Sequence, residues 1–176
     1  MRMRQVMDWE AAVKAGLLAG VVALLIVVIP AATDGYPWII FHWIAALILG
    51  PDVLAETHNL SPLLIGLGFL IHFALSVTYA LILAFIIHRW GFWVGLFGGT
   101  LFGLALFAIN YYTFTLLFPW FLVMRSWIVV IAHLVFGAVA GGAYEAMEVE
   151  RFVPVEPVES EATSPQARPH QPPSRR

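Results

Sequence analysis

The chain has 176 residues, of which 61% are hydrophobic and only 11% charged, with a net charge of -2. A soluble domain of this length carries ~25% charged residues, so lipid is expected to cover much of this one. The absence of cysteine excludes disulfides, Cys-ligated zinc, iron–sulfur clusters and thioether-linked haem, and the scattered basic residues give no patch for nucleic acid.

Residues 1–10 form a short polar N-terminus with Arg2 and Arg4. The apolar stretch that follows is too long for a secretory h-region, normally ~7–15 residues, and reads as a retained anchor. The first span covers about residues 11–32. It follows Trp9, and Pro30 and Asp34-Gly35 are expected to end it. Lys14 lies near one end, where its stem can snorkel to headgroups.

Residues 38–50 are apolar but shorter than the ~20 needed to span. They predict a short interfacial or re-entrant helix on the outer face, stopped by Gly50-Pro51. A polar loop with Asp52, Glu56, His58 and Asn59 follows.

Ser61-Pro62 combines a good N-cap with a proline at the first helical position. It opens a second span over 62–88. A turn at Trp90-Gly91 leads into a third span over 92–110, followed by an aromatic belt from Tyr111 to Phe121. The fourth span covers 126–147. From Arg151 to Arg176 the chain is rich in proline, glutamate and serine, and predicts a disordered tail. Glu145, Glu148 and Glu150 read as interfacial solvation.

Positive charge is strongly one-sided. Arg2, Arg4, Lys14, Arg89, Arg151, Arg168, Arg175 and Arg176 fall on one side of the four spans, and Arg125 alone falls on the other. The positive-inside rule puts both termini in the cytoplasm. The fold class is therefore an all-α, integral membrane four-helix bundle. Arg125 is expected at the outer mouth, either paired with Asp34, Asp52 or Glu56 or anchored to headgroups.

The spans read as two helical hairpins. Ala15-Gly16-Leu17-Leu18-Ala19-Gly20 matches Val94-Gly95-Leu96-Phe97-Gly98-Gly99, and His72-Phe73-Ala74-Leu75-Ser76 matches His133-Leu134-Val135-Phe136-Gly137. Two-helix units return to the same side, so these repeats are parallel. The pairs Gly16/Gly20, Gly95/Gly99, Gly99/Gly103 and Gly137/Gly141 are spaced for close helix packing. They serve either the bundle itself or a dimer.

Six histidines are present. His42, His58, His88 and His170 are expected to reach water or headgroups. His72 and His133 lie inside spans, each about 25 Å from the cytoplasmic arginine that follows it at ~1.5 Å per residue. Intramembrane ionisable groups face a bundle interior or a polar cavity. Three readings stay open. A neutral imidazole can hydrogen-bond across the bundle, to Ser76, Thr78, Tyr79, Thr100 or Tyr144. The pair can ligate a b-type haem, with Gly137 giving room for the macrocycle and Arg125 meeting a propionate. Or His72, Ser76, Tyr79, Asn110 and His133 can line a path for a proton or small solute, although no carboxylate lies in mid-span.

The first-helix segment Ala11–Leu17, the Trp-rich segment ending Ile44–Gly50, His72–Tyr79 and His133–Gly137 together resemble a family of small bacterial four-helix inner-membrane proteins defined as a domain of unknown function. The resemblance spans about residues 9–147. It implies a bacterial inner-membrane location and brings no activity, cofactor or site residues. The expected role is non-enzymatic: a scaffold or accessory subunit, with no cofactor. Its partners would be the lipid bilayer and other membrane subunits or a second copy. A haem b electron carrier and a small-solute or proton transporter or channel are the alternatives.

Overall fold

The computed structural model describes residues 2–56, 60–149 and 151–155. His58, His170 and the tail beyond residue 155 lie outside the described residues. The elements are β1 (Arg2–Val6), α1 (Trp9–Thr33), α2 (Ile39–Leu49), α3 (Pro62–Ile87), α4 (Phe92–Ala108), α5 (Trp127–Met147) and β2 (Arg151–Val155). Four helices are long and apolar enough to cross a membrane: α1, α3, α5 and α4 with its extension to Leu116.

Each helix start has a local cause. The Asp8 side chain accepts from the N–H groups of Glu10 and Ala11, both at 3.1 Å, so α1 begins at Trp9. Ser61 and Ser126 cap α3 and α5 through Leu64 N–H and Val129 N–H. Pro30 does not end α1. The helix runs to Thr33, because a proline this late removes only the bond to the Ile26 carbonyl.

The long helices pack in the order α4, α5, α1, α3, while α3 and α4 touch sparsely. The close approaches are made by small residues. A methyl placed on Gly16 would sit 2.8 Å from Ala80 Cβ, and one on Gly20 would sit 2.8 Å from Ser76 Oγ. Across α4 and α5, methyls on Gly99 and Gly103 would strike the carbonyl oxygens of Gly137 and His133. Methyls on Gly137 and Gly141 would strike those of Gly99 and Gly95. The predicted glycines thus all sit at interfaces within the chain. The register is the same in both pairs: Gly16 meets Ala80 and Gly20 meets Ser76, as Gly95 meets Gly141 and Gly99 meets Gly137. Toward the terminal end the helices close on a core that includes Leu83, Ala84, Ile87, Ala140 and Tyr144.

Three features depart from the sequence reading. Residues 151–155, read as the start of a disordered tail, form β2 and pair antiparallel with β1. The helical path expected to end at Asn110 continues through a single π turn, Ile109–Thr113, and a 3-10 turn, Phe114–Leu116. The aromatic segment Pro119–Met124 is itself a 3-10 helix.

Candidate functional site

The end of the molecule away from the termini holds a cavity of about 330 Å³. Its floor is α1 and α5, with Ala23, Leu24, Ala132 and Phe136. Its walls are α3, with His72, Ser76 and Tyr79, and the α4 extension, with Asn110 and Tyr111. One stripe of α2, namely Ile40, Trp43, Ile44 and Leu47, covers it together with Phe114, Phe118 and Phe121. The spacing 40, 43, 44, 47 is one face of a helix. The opposite face, with His42, Ala45 and Ala46, is buried, and α2 packs chiefly on α3.

Five polar residues singled out in the sequence, His72, Ser76, Tyr79, Asn110 and His133, line this one cavity. His72 Nε2 lies 2.9 Å from the Gly20 carbonyl oxygen. A carbonyl only accepts, so Nε2 carries the proton and Nδ1 is left as an acceptor. His133 is tied at both nitrogens. Its Nδ1 donates to the Val129 carbonyl at 2.8 Å. Nε2 must then accept in the neutral ring, and the Asn110 amide donates to it at 3.1 Å. The network assigns both tautomers and the orientation of the Asn110 amide.

Asn110 and Tyr111 lie within the π turn Ile109–Thr113 and line the cavity. The Phe114 N–H bonds to the Ile109 carbonyl, five residues back. The extra residue shifts the following side chains around the helix axis relative to an α-helical continuation. Such single π turns recur at functional sites. Nothing in the sequence announces it.

The expected cross-helix partners of the histidines differ from those found. Ser76, Thr78 and Thr100 each donate to the carbonyl four residues back on their own helix, all at 2.8 Å. Tyr144 is buried at the terminal end, where its hydroxyl accepts from the Asp8 N–H. The histidines instead use two backbone carbonyls in reach of their rings, and Asn110.

The expectation for His42 is corrected, and of the two alternatives for Arg125 the ion pair is not found among the described residues. His42 does not reach water: it is 0% exposed, its Nδ1 donates to the Trp38 carbonyl and its Nε2 has no partner among the described residues. Arg125 meets no carboxylate among the described residues. It is exposed, with its guanidinium carbon 5.5 Å from the centre of the Tyr112 ring, a cation–π contact. Lys14 reaches Glu10 one turn back, with 2.6 Å between Nζ and Oε1.

Axial ligation of a haem would require the histidines to give up hydrogen bonds that they make in this structure. Both nitrogens of His133 are engaged, and the Nε2 of His72 turns to α1 rather than across the cavity to His133. No cluster of three metal-ligating side chains occurs among the described residues.

At the terminal end a second polar group ties the chain ends together. Asp8 Oδ2 accepts from the Val149 N–H at 3.2 Å, and Gln5 Nε2 reaches Glu148 Oε1 at 3.5 Å. N–H groups, that of Ala11 foremost, hold the Asp8 carboxyl below the ordinary aspartate range, against an opposing effect of partial burial.

Comparison with the models of known protein families, with curated proteins and with solved structures finds no match for this chain.

Proposed function

We propose that the chain is a multi-pass protein of a bacterial inner membrane, with both termini cytoplasmic, that serves as a non-enzymatic accessory subunit holding a small apolar molecule. The observation that carries this reading is the cavity. Its size lies at the low end of the ~300–1,000 Å³ usual for small-molecule sites. Its lining is aliphatic and aromatic, with a few convergent polar groups and no charged side chain among the described residues. An uncharged lining suits a neutral guest taken from lipid. The one-sided basic residues support the orientation. The shared contact register of α1 with α3 and α4 with α5 supports a parallel two-hairpin bundle of the kind expected in the family of small four-helix proteins.

A through-path for solute or protons has less support. Toward the terminal end the cavity meets the packed core around Leu83, Ala84 and Tyr144, and no carboxylate lines it among the described residues. The test is the purified protein in mild detergent, with extraction and mass analysis of what it carries, beside Ala132→Phe, which fills the floor. Wild type is expected to retain one apolar compound that Ala132→Phe lacks, while both melt cooperatively. Equal cargo in the two proteins would sink the reading.

A further inference from the structure

The polar atoms of the cavity are divided between its two walls, and this bears on what it binds. This inference rests on the reading of the cavity as a binding site. On the α3 wall, Tyr79 has no hydrogen-bond partner for its hydroxyl among the described residues, and His72 Nδ1 is left over once Nε2 has bonded Gly20. On the facing wall, Asn110 spends one amide hydrogen on His133 and keeps the other, with its carbonyl oxygen, unpartnered among the described residues. Tyr111 likewise has no partner for its hydroxyl there. None of these atoms is sealed away from space, in contrast to His42 Nε2 and the indole nitrogens of Trp38 and Trp120. Each wall therefore offers at least one free donor: Tyr79 on one side, Asn110 and Tyr111 on the other.

We propose that the cavity takes a lipid-soluble quinone: a neutral, flat ring with a carbonyl oxygen at each of two opposed positions, one accepting from Tyr79 and the other from Asn110 or Tyr111.

Three further observations fit this guest. Among the described residues the lining contains no charge, which rejects fatty acids and phosphorylated headgroups, whose burial without a partner is prohibitive. Trp43, Phe114, Phe118, Phe121 and Phe136 offer flat faces against which a ring can lie. Donors with no internal partner select strongly for a molecule that satisfies them, since an analogue lacking the oxygens leaves buried groups unpaired. The way in is lateral. Although α3 and α4 are joined by the short turn at 88–91, they touch sparsely, and both line the cavity. A guest dissolved in the bilayer can pass between them, with its tail left in the gap.

The experiment titrates the full chain in nanodiscs with decylubiquinone and follows quenching of tryptophan fluorescence, with Trp43→Phe to identify the responding indole. The comparison ligand is a decylbenzene without ring oxygens, whose binding is read from its relief of quenching as it displaces the quinone. Saturable quenching through Trp43 is expected for the quinone, and about tenfold weaker binding for decylbenzene. Tyr79→Phe removes one hydroxyl and no packing. It should weaken the quinone about tenfold and leave decylbenzene unchanged. Equal binding of the two ligands, or a quinone affinity indifferent to Tyr79→Phe, would overturn the quinone assignment while leaving an apolar binding site intact. Failure of both ligands to bind, with wild type carrying no more cargo than Ala132→Phe, would remove the binding site itself and the quinone with it.

Discussion

Asn110 and His133 stand on different helices and are joined by a 3.1 Å hydrogen bond from the amide to the ring. The bond uses the last free nitrogen of His133, because the other already donates to the Val129 carbonyl. It also ties the π turn of the α4 extension to α5, so the wall of the cavity and its floor are fixed relative to each other.

Removing one partner of this pair should cost more than removing both. Asn110→Leu leaves His133 Nε2 buried without a donor, a penalty of about 1–3 kcal/mol. Adding His133→Leu removes the orphan. A double-mutant cycle by denaturant unfolding in detergent is expected to show coupling of about 0.6 kcal/mol or more. Strict additivity would mean that the pair is not formed.

The neighbouring glycines Gly98 and Gly99 give a sharp contrast. A methyl on Gly99 would strike the Gly137 carbonyl, whereas one on Gly98 meets nothing within 4 Å. Gly99→Ala is therefore expected to destabilise by about 1–3 kcal/mol. Gly98→Ala should be neutral or stabilising, since alanine is favoured over glycine in a helix by about 1 kcal/mol. Equal melting temperatures for the two variants would rule out the close α4–α5 crossing.

Asp8 should make the terminal end acid-sensitive. Its carboxylate is stabilised in the fold by backbone donors, Ala11 N–H first. The folded state therefore binds this proton less readily than the unfolded chain. The stabilisation is complete above the ordinary aspartate value of about 3.9 and fades as pH falls through the lower folded value. Asp8→Ala is expected to cost about 0.5–2 kcal/mol near neutral pH through loss of the cap. The gap to wild type should narrow below about pH 4, as read from amide exchange in the first turn of α1.

Haem should not bind. With His133 committed at both nitrogens, addition of haem to the purified protein is expected to give no bis-histidine Soret spectrum. A band that vanishes in both His72→Ala and His133→Ala would show that the hydrogen bonds yield to iron.

Orientation is open to direct measurement because the chain has no cysteine. Single cysteines in place of Trp90 and Leu116, both exposed, should label from opposite sides of the membrane. Trp90→Cys is expected to react only from the cytoplasmic face. Labelling of both from one side would overturn the proposed topology.

The four apolar helices were legible because each is a long run of side chains too apolar for water, bounded by residues with plain backbone roles. Ser61-Pro62 and Gly50-Pro51 are examples: one fits a helix start, the other cannot continue a helix. The polar residues inside those runs also stood out, since His72, Asn110 and His133 are conspicuous in so apolar a context. Periodicity could not say who their partners were. His72 takes the Gly20 carbonyl because the absence of side chains on Gly16 and Gly20 brings α1 close to α3, and a backbone acceptor leaves no mark on a sequence. The π turn was illegible for the same reason: Ile109–Thr113 differs from α-helix only in which carbonyl each N–H selects. Burial of His42 was missed because the short helix that carries it looked interfacial by length, while its packing on α3 was set by other elements. The pairing of β1 with β2 depends on segments about 150 residues apart, brought together by the helices between them. Composition and spacing thus determined which parts of the chain are apolar helix and which residues are out of place there. Tertiary structure alone decided that those residues share a cavity, because their meeting depends on the close approach of helix backbones, and that approach is a property of pairs of helices.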